Sequence, residues 1–325
     1  MNRRNFVLMA AALPTLIWPR KSEAQRAEKI PRLGVMLYGN PKTDPNIESF
    51  RQGLRDLGYV DGTNIIIEYR FADGKPDRLQ GLSAELVRLN PDVLLALGGD
   101  VVRHVHAATQ TIPIVFATSS DPVRGGLVAS LGRPGGNATG ITFLQDELAS
   151  KRLVLLKEAV PHISSVGVLF YPEHLDNELR EAERAASVLG VTIHPVEMHG
   201  PDDLNRAFAR LMQLNVDALY VVSSRLTVAS VEPIVAFGTA KKIPVVGGWG
   251  TWAERGALVS YGPNPLEITK QSAVYVDRIL KGAKPADLPA QQPTRFDLIV
   301  NLRTAKSLGL TIQESFLLQA DKVIE

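Results

Sequence analysis

Polar and aromatic residues directly follow several hydrophobic segments that we predict to be parallel strands. In an open α/β sheet, ligands bind beyond the carboxyl ends of the strands, so these residues are candidates for a binding site. Hydroxyl and backbone N–H groups there suit a carboxylate, whereas Asp100 or Asp121 suits an ammonium group. Aromatic side chains suit an apolar or aromatic part of the same ligand. The candidates are Tyr38, Asn40, Gly99, Asp100, Thr118, Ser119, Ser120, Asp121, Tyr171, Ser223, Ser224 and Trp249.

The same residue types also have ordinary structural roles. Ser119, Ser120 and Asp121 are common as helix caps and turn residues, and Pro122 suits the first position of a helix. Taken singly, each residue fits either role. Taken together, the set predicts a site for an amino acid or another small carboxylate, with aromatic ligands among the candidates.

Patterns typical of enzymes and metal sites are missing from the sequence. The chain has no cysteine, which excludes thiolate metal ligands and thiol nucleophiles. His104 and His106 are two residues apart and point to different faces of a helix, while His162, His194 and His199 are scattered. There is no Gly-x-Ser-x-Gly motif of an α/β-hydrolase nucleophile. We therefore predict no catalytic residue, no metal and no cofactor.

The N-terminal segment has the pattern of a signal peptide. Arg3 and Arg4 precede an apolar run from Phe6 to Trp18, which is too short to span a bilayer comfortably. Small residues precede a cleavage site after Ala24, so the predicted signal covers residues 1–24. The arginine pair resembles a twin-arginine signal, and a plain basic n-region is the alternative. No cysteine follows the apolar run, so we expect a free periplasmic protein and not a lipoprotein.

The charge of the mature chain is close to zero. The full sequence has 36 Lys and Arg, 34 Asp and Glu, and a net charge of +2. The predicted signal carries four of the basic residues and one of the acidic ones, which leaves 32 basic and 33 acidic residues and a net charge of −1. Net charge therefore gives no support to a nucleic-acid partner.

Beyond the signal, hydrophobic strands alternate with amphipathic helical segments, which is typical of βα units around parallel sheets. The first series begins with a strand from Leu33 to Tyr38 and ends near Asn137. The stretch from Gly132 to Gly140 lacks the ending of a phosphate loop, so we predict a hinge-side loop there, followed by a strand at 141–143 that crosses between lobes. A second series covers residues 147–246. The predicted fold class is α/β, with two Rossmann-like lobes and parallel sheets joined by a multi-strand hinge.

The C-terminal part of the chain has too few predicted strands for a third sheet. It contains two strands, a long helix between them, a proline-rich stretch and the start of a final helix, so these pieces must return to the two existing sheets. The chain then crosses between the lobes several times, which makes a hinge. The predicted domains are residues 32–140 with about 262–292 for lobe 1, and residues 143–261 with about 293–325 for lobe 2.

Several segments resemble the ABC transporter substrate-binding proteins of a family that includes tryptophan-binding members. They are Leu57 to Ile65, Glu68 to Arg70, Ile112 to Val123, Gly135 to Gly140 and Asn301 to Leu310, and together they span nearly the whole mature chain. The resemblance implies a type I periplasmic-binding fold whose lobes close on a ligand in the cleft. The chain departs from the family at Leu97-Gly98-Gly99-Asp100, where members often have Thr or Ser with small residues.

These observations predict a solute-binding protein of an ABC uptake system, which is not an enzyme. Its expected partners are a small-molecule ligand and an ABC permease in the inner membrane, with no nucleic acid, and we expect a monomer. A receptor that presents its ligand to a sensor kinase is an alternative, and an exported enzyme using aspartates in the cleft is another. A sugar-responsive repressor is excluded, because the first strand leaves no room for an N-terminal helix-turn-helix.

Overall fold

The strands of the chain form two separate sheets, which define two lobes. A computed structural model describes residues 29–42, 44–143, 145–174 and 176–325. The signal peptide predicted for residues 1–24 lies outside these residues. Each sheet is covered by helices on both faces, so its central strands are buried along their whole length. The prediction of an α/β fold with two parallel-sheet lobes is confirmed.

Lobe 1 contains a five-stranded sheet and the helices that cover it. Its elements are β1 (Arg32–Leu37), α1 (Asn46–Asp56), β2 (Ile66–Phe71), α2 (Leu79–Arg88), β3 (Val93–Leu97), α3 (Gly99–Ala108), β4 (Ile114–Thr118) and β5 (Ala138–Thr142). All strand pairs are parallel, and the strand order is β2-β1-β3-β4-β5. The crossing strand predicted at 141–143 begins earlier, at Ala138. It pairs with β4, with Thr139 in register with Val115.

Lobe 2 contains a seven-stranded sheet. Its elements are α4 (Gln145–Ala159), β6 (Ser165–Phe170), α5 (Glu178–Leu189), β7 (Thr192–Glu197), α6 (Leu204–Leu214), β8 (Ala218–Val221), α7 (Arg225–Ala229), α8 (Val231–Lys241), β9 (Val245–Gly247), α9 (Gly250–Glu254) and β10 (Val259–Gly262), followed after a return to lobe 1 by β11 (Asp297–Asn301), α11 (Leu302–Leu308), α12 (Glu314–Leu317) and β12 (Lys322–Ile324). The order is β12-β11-β10-β9-β8-β6-β7, and every pair is parallel except β10 with β11.

Helix α6 illustrates how the sequence specifies a covering helix. Leu204, Ala207 and Leu211 recur at three- and four-residue spacing, and all three are buried. Leu211 lies against Gly167 of β6, where a larger residue would collide with the leucine. The helix ends at Asn215, which takes the left-handed conformation that asparagine tolerates well.

A long helix after β10 returns the chain to lobe 1. This helix, α10 (Pro265–Leu280), packs along α1 and against the first sheet. The Ser49 hydroxyl donates to the Leu266 carbonyl at 2.6 Å, and Gly53 allows the two backbones to approach closely at Lys270. Residues more than 200 positions apart therefore complete one lobe.

Two of the crossings between the lobes run side by side. The backbone N–H of Gln291 donates to the Gly140 carbonyl, and the N–H of Thr142 donates to the Gln291 carbonyl, both at 2.9 Å. The end of β5, from which the chain leaves lobe 1, is thus hydrogen-bonded to the segment that precedes β11. A paired set of short connections can bend while the sheets on either side stay intact.

Candidate ligand-binding cleft

A cavity of about 450 Å³ lies where strand-end loops of the two lobes face each other. Lobe 1 contributes Tyr38 and Asn40 from the loop after β1 and Asp73 from the loop after β2. Lobe 2 contributes Arg225, at the start of α7, and Trp249, which follows β9. The location matches the rule that ligands of open α/β sheets bind beyond the carboxyl ends of the strands. The size is in the range of small-molecule sites.

Tyr38 forms part of the lobe 1 wall and is held in place by its own hydroxyl. The phenol donates to the Gly74 carbonyl at 2.7 Å, which joins the loops after β1 and β2. Burial and the negative charges of Asp100 and Asp77 raise the pKa of this phenol. The tyrosine therefore stays neutral and offers an apolar ring to the cavity.

Trp249 forms the facing wall on lobe 2. Its ring meets Phe143 edge to face, with centroids 5.6 Å apart and an interplanar angle of 87°. The guanidinium carbon of Arg225 lies over the indole, 6.0 Å from its centroid. Two large side chains thus fix the indole, as expected for a rigid ligand platform.

Arg225 is buried between the lobes. Burial lowers the pKa of its guanidinium. The negative charges of Asp44 and Asp100 raise this pKa, but by less than burial lowers it. Its side chain packs on Gly98 of lobe 1, where an added Cβ would lie 2.6 Å from the Cγ and Nε atoms of the arginine. Contact between the lobes at this point therefore needs a glycine.

A buried ion pair supports the lobe 2 wall from below. Arg152 donates to Glu178 at 2.6 Å, and neither side chain is exposed. Glu178 also accepts from the Tyr220 hydroxyl at 2.8 Å and from the Ser223 backbone N–H at 3.0 Å. Because Tyr220 lies in β8 and Ser223 follows it, the pair fixes the strand end that carries Arg225.

A second set of contacts joins the lobes through His174. Its Nδ1 lies 3.1 Å from the Asp100 carboxylate and its Nε2 lies 3.1 Å from the Ser119 hydroxyl, both on lobe 1. Burial alone would lower the pKa of this imidazole. The hydrogen bond to Asp100 and the negative charges of Asp100, Asp176 and Glu178 outweigh burial and raise the pKa to about 9. The pairing with His174 in turn keeps the pKa of Asp100 below its usual range despite burial. The contact is therefore an ion pair at neutral pH.

Arg124 extends this contact along the same edge of the cleft. Its guanidinium donates to the backbone carbonyl of Asp176 at 3.1 Å and to the side-chain amide oxygen of Asn177. Arg124 belongs to the turn after β4, and both acceptors lie in the segment before α5. The lobes thus meet through polar contacts that a rotation about the hinge would separate.

The structure brings together three of the twelve predicted site residues at the large cavity. These are Tyr38, Asn40 and Trp249. Gly99, Asp100 and Ser120 instead line a much smaller space beside Arg103 and Glu173. Five of the remaining residues have side-chain partners within the protein: Ser119 bonds to His174, Thr118 to Ser120, Asp121 to the N–H groups of Val123 and Arg124, Tyr171 to Glu173, and Ser224 caps α7. The backbone N–H of Ser223 donates to Glu178, whereas its buried hydroxyl has no hydrogen-bond partner among the described residues.

Several residues of the cleft were not among the predicted site residues, and Arg225 and His174 are two of them. Arg225 directly follows Ser223 and Ser224 in a strand-end loop, so its position alone could have included it. His174 lies in an irregular segment between β6 and α5, and no periodicity or motif marks it. Roles for all twelve predicted residues as ligand contacts stay predictions.

The family model described as "ABC transporter substrate binding protein" matches residues 36–324. The chain belongs to this family. This substrate-binding protein is 26% identical over 295 residues to a protein of Clostridioides difficile strain R20291 named "Tyrosine-binding protein", a match covering 90% of this chain and 84% of that one. Such a protein has a small-molecule ligand and an ABC transporter as its partner, and it works outside the cytoplasm. The matched relative and the family are substrate-binding proteins and not enzymes.

Two solved structures bear on the arrangement of the lobes. A Streptococcus pneumonia ABC domain in complex with L-Trp is 25% identical, with a TM-score of 0.83, and the match covers 90% of this chain and 99% of that one. A ligand-free, open structure of a substrate-binding protein from Clostridium difficile is 24% identical, with a TM-score of 0.64 and coverages of 91% and 99%. Both matches show the same two-lobed fold.

The part of the chain that the structure describes has neither a membrane-spanning helix nor a cluster of metal ligands. No helix in the described ranges combines the length and the apolar character that a membrane crossing requires. Likewise, no group of three or more His, Asp or Glu side chains among the described residues could hold a metal ion.

Proposed function

We propose that the mature chain is the free periplasmic receptor of an ABC uptake system. It captures a small solute between its lobes as a monomer, performs no chemistry on it and delivers it to a permease in the inner membrane. Export uses the signal predicted at residues 1–24, and Arg3-Arg4 favours the twin-arginine route. The ligand is an amino acid or another small carboxylate, with aromatic amino acids as the first candidates.

The observation that carries this proposal is the cavity with one wall from each lobe. Tyr38 and Asn40 belong to lobe 1, and Arg225 and Trp249 belong to lobe 2. A solute that contacts both walls binds the closed form better than the open form, and this difference in affinity drives closure. Ligand binding is thereby coupled to formation of the closed surface that a permease would recognise.

The hinge proposed here separates two bodies that move as units. Residues 32–140 and about 262–292 form one, and residues 143–261 and about 293–325 form the other. The hydrogen bonds between Gln291 and the β5 end support a hinge at this place, because they join the connecting segments to one another.

The relatives support an aromatic amino acid as ligand. The curated relative is named a tyrosine-binding protein, and the structure from Streptococcus pneumonia holds L-Trp. In the present chain Trp249, fixed by Phe143, offers a flat apolar surface in the cavity. An aromatic side chain stacked there would bury its ring while its head group meets the polar residues.

Ligand-dependent stabilisation tests the proposal. The mature protein, residues 25–325, is screened by thermal unfolding against the amino acids, aromatic acids and sugars, and hits are measured by calorimetry. We expect L-tyrosine, L-tryptophan or a related carboxylate to raise the melting temperature by several degrees, since a ligand at 100 times its Kd adds about 2.7 kcal/mol. Small-angle scattering should show a smaller radius of gyration with the ligand. The absence of any shift with amino acids and carboxylates would contradict the proposed ligand class, and turnover of a hit would contradict the receptor function.

A further inference from the structure

Arg225 differs from the other deeply buried arginine of the cleft region, Arg152. Arg152 has a counter-ion, Glu178, at 2.6 Å. The side chain of Arg225 is only 9% exposed, yet within the described residues its Nε has no hydrogen-bond acceptor and no carboxylate forms an ion pair with its guanidinium. The fold thus supplies an anion to one buried arginine and leaves the other facing the cavity.

A buried guanidinium without an anion is costly, because the charge loses its hydration and gains nothing in return. The lowered pKa of Arg225 has the same physical cause. A ligand that brings a carboxylate into the cavity would remove this cost. Arginine is well suited to that role, since its planar fork matches the two oxygens of a carboxylate.

A second donor lies on the same wall. The indole Nε1 of Trp249 is buried and has no hydrogen-bond acceptor within the described residues. Both side chains line the 450 Å³ cavity. Buried N–H groups are almost always paired in native proteins, so two unpaired donors on one cavity wall indicate an acceptor that comes from outside.

The opposite wall carries negative charge. Asp44 and Asp73 of lobe 1 line the cavity. Asp73 is ion-paired with Arg78, whereas Asp44 forms no ion pair within the described residues, so its carboxylate would repel a second anionic group of the ligand and attract an ammonium group. The distribution of charge therefore fits a ligand with one carboxylate and disfavours a dicarboxylate.

We propose that Arg225, assisted by the Trp249 indole N–H, is the seat of the ligand carboxylate, and that the cavity selects monocarboxylates with an α-ammonium group over their amides and over dicarboxylates. This inference rests on the proposed function and names the recognition chemistry of that site. It also explains how closure depends on the ligand. Arg225 is brought onto Gly98 of lobe 1 when the lobes meet, so closure desolvates the guanidinium, and a bound carboxylate makes that step favourable.

Paired ligands test the inference on the unaltered protein. L-tryptophan is compared with L-tryptophanamide, and L-tyrosine with L-tyrosinamide, by calorimetry with the mature chain. We expect the amides to bind about 100-fold more weakly, the loss typical of breaking a buried, hydrogen-bonded charge pair. L-glutamate should bind more weakly than L-glutamine, because its second carboxylate meets the carboxylate of Asp44. Equal affinities for each acid and its amide would overturn the inference.

Variants then assign the effect to Arg225. Arg225→Met should weaken binding of the acid about 100-fold and bring the ratio of the acid's affinity to the amide's affinity close to one. Arg225→Lys, which keeps the charge but loses the fork, should give an intermediate loss of about tenfold. Arg255→Gln is the matched comparison, because Arg255 lines the same cavity but has a partner, Glu232, at 3.2 Å. Arg255→Gln should weaken ligand binding by less than about fivefold and leave the acid-to-amide affinity ratio unchanged.

The unliganded variants supply a separate readout. Arg225→Met removes an uncompensated buried charge, so its melting temperature without ligand should equal or exceed that of the unaltered protein. A clear decrease in this melting temperature, together with unchanged discrimination between acid and amide, would show that Arg225 is a structural residue and would overturn the inference. If neutral solutes bind and acids do not, the inference fails while the receptor function stands. If no solute binds at all, the proposed function fails and the inference fails with it.

Discussion

The Nδ1 atom of His174, on lobe 2, lies 3.1 Å from a carboxylate oxygen of Asp100, on lobe 1. Both side chains are buried, and the Ser119 hydroxyl of lobe 1 accepts a hydrogen bond from the other ring nitrogen of the charged imidazole. This pair spans the cleft away from the large cavity, so it can favour closure without contacting the solute. Its strength depends on a proton, which leads to the first prediction.

Ligand affinity should fall as the pH rises from about 6.5 to 9. The pKa of His174 is raised from 6.5 to about 9 in the closed protein, so its stabilising effect is complete below pH 6.5 and is lost as the pH passes through about 9. The effect on the closed form is at most about 3 kcal/mol, because Asp176 stays near the imidazole when the lobes separate. Calorimetry between pH 6.5 and 10, in buffers of different ionisation enthalpy, measures the affinity and the proton uptake. Burial also raises the pKa of Asp146 to about 6 and that of Glu178 to about 7, so the change assigned to His174 is the one above about pH 8. His174→Gln should flatten the profile, and a variant that keeps the full pH dependence would contradict the role of His174.

Asp100→Asn should reduce affinity by about tenfold at pH 7. The amide cannot balance the charge of His174, so the imidazole loses its largest favourable interaction and its pKa falls. Asp121→Asn serves as the control, since Asp121 accepts two backbone N–H bonds in a turn of lobe 1, a role that asparagine can also fill. Titration of both variants with the same ligand checks the difference. An equal loss in the two variants would mean that the Asp100 contact does not favour closure.

Gly98→Ala should weaken ligand binding by tenfold or more. The glycine has φ of 104°, and an added Cβ would lie 2.6 Å from the Arg225 side chain. The substitution therefore strains the backbone and also obstructs the contact of the lobes. Gly58→Ala introduces similar backbone strain, at φ of 86°, with no neighbour within 4 Å, and should lower the melting temperature alone. Calorimetry and thermal unfolding of both variants separate the two effects.

Glu178→Gln should lower the free energy of unfolding by about 3–5 kcal/mol, because it removes the carboxylate that pairs with the buried Arg152. Arg152→Met with Glu178→Met should recover much of this loss, since no buried charge remains. The exposed pair of Arg184 and Glu181, at 2.7 Å, is the control, and Arg184→Gln should change the unfolding free energy by less than about 1 kcal/mol. Denaturant unfolding measures the free energy of unfolding of these three variants and of the unaltered protein. A small effect of Glu178→Gln would show that the buried arginine finds another partner.

The alternation of strands and helices could be predicted because each element carries its own hydrophobic period. Strand-end loops followed from the strands, and Tyr38, Asn40 and Trp249 were found in this way. Arg225 was not selected because its lack of a counter-ion is a tertiary property, visible only once Glu178 is seen to pair with Arg152 instead. His174 likewise acquires its role only when another lobe approaches it. Side-chain partnership across a cleft cannot be predicted from local pattern.

The return of α10 to lobe 1 and of β11 and β12 to lobe 2 affects how the chain can fold while it is being made. Lobe 1 lacks a covering helix until about residue 280 has been synthesised, and the lobe 2 sheet lacks its last strands until residue 324. Neither lobe is encoded as one continuous stretch, so neither can be completed early in translation. Both reach their final packing only after residues 265–324 have been made, and a nascent chain stopped before residue 265 would expose the face of α1 that α10 covers.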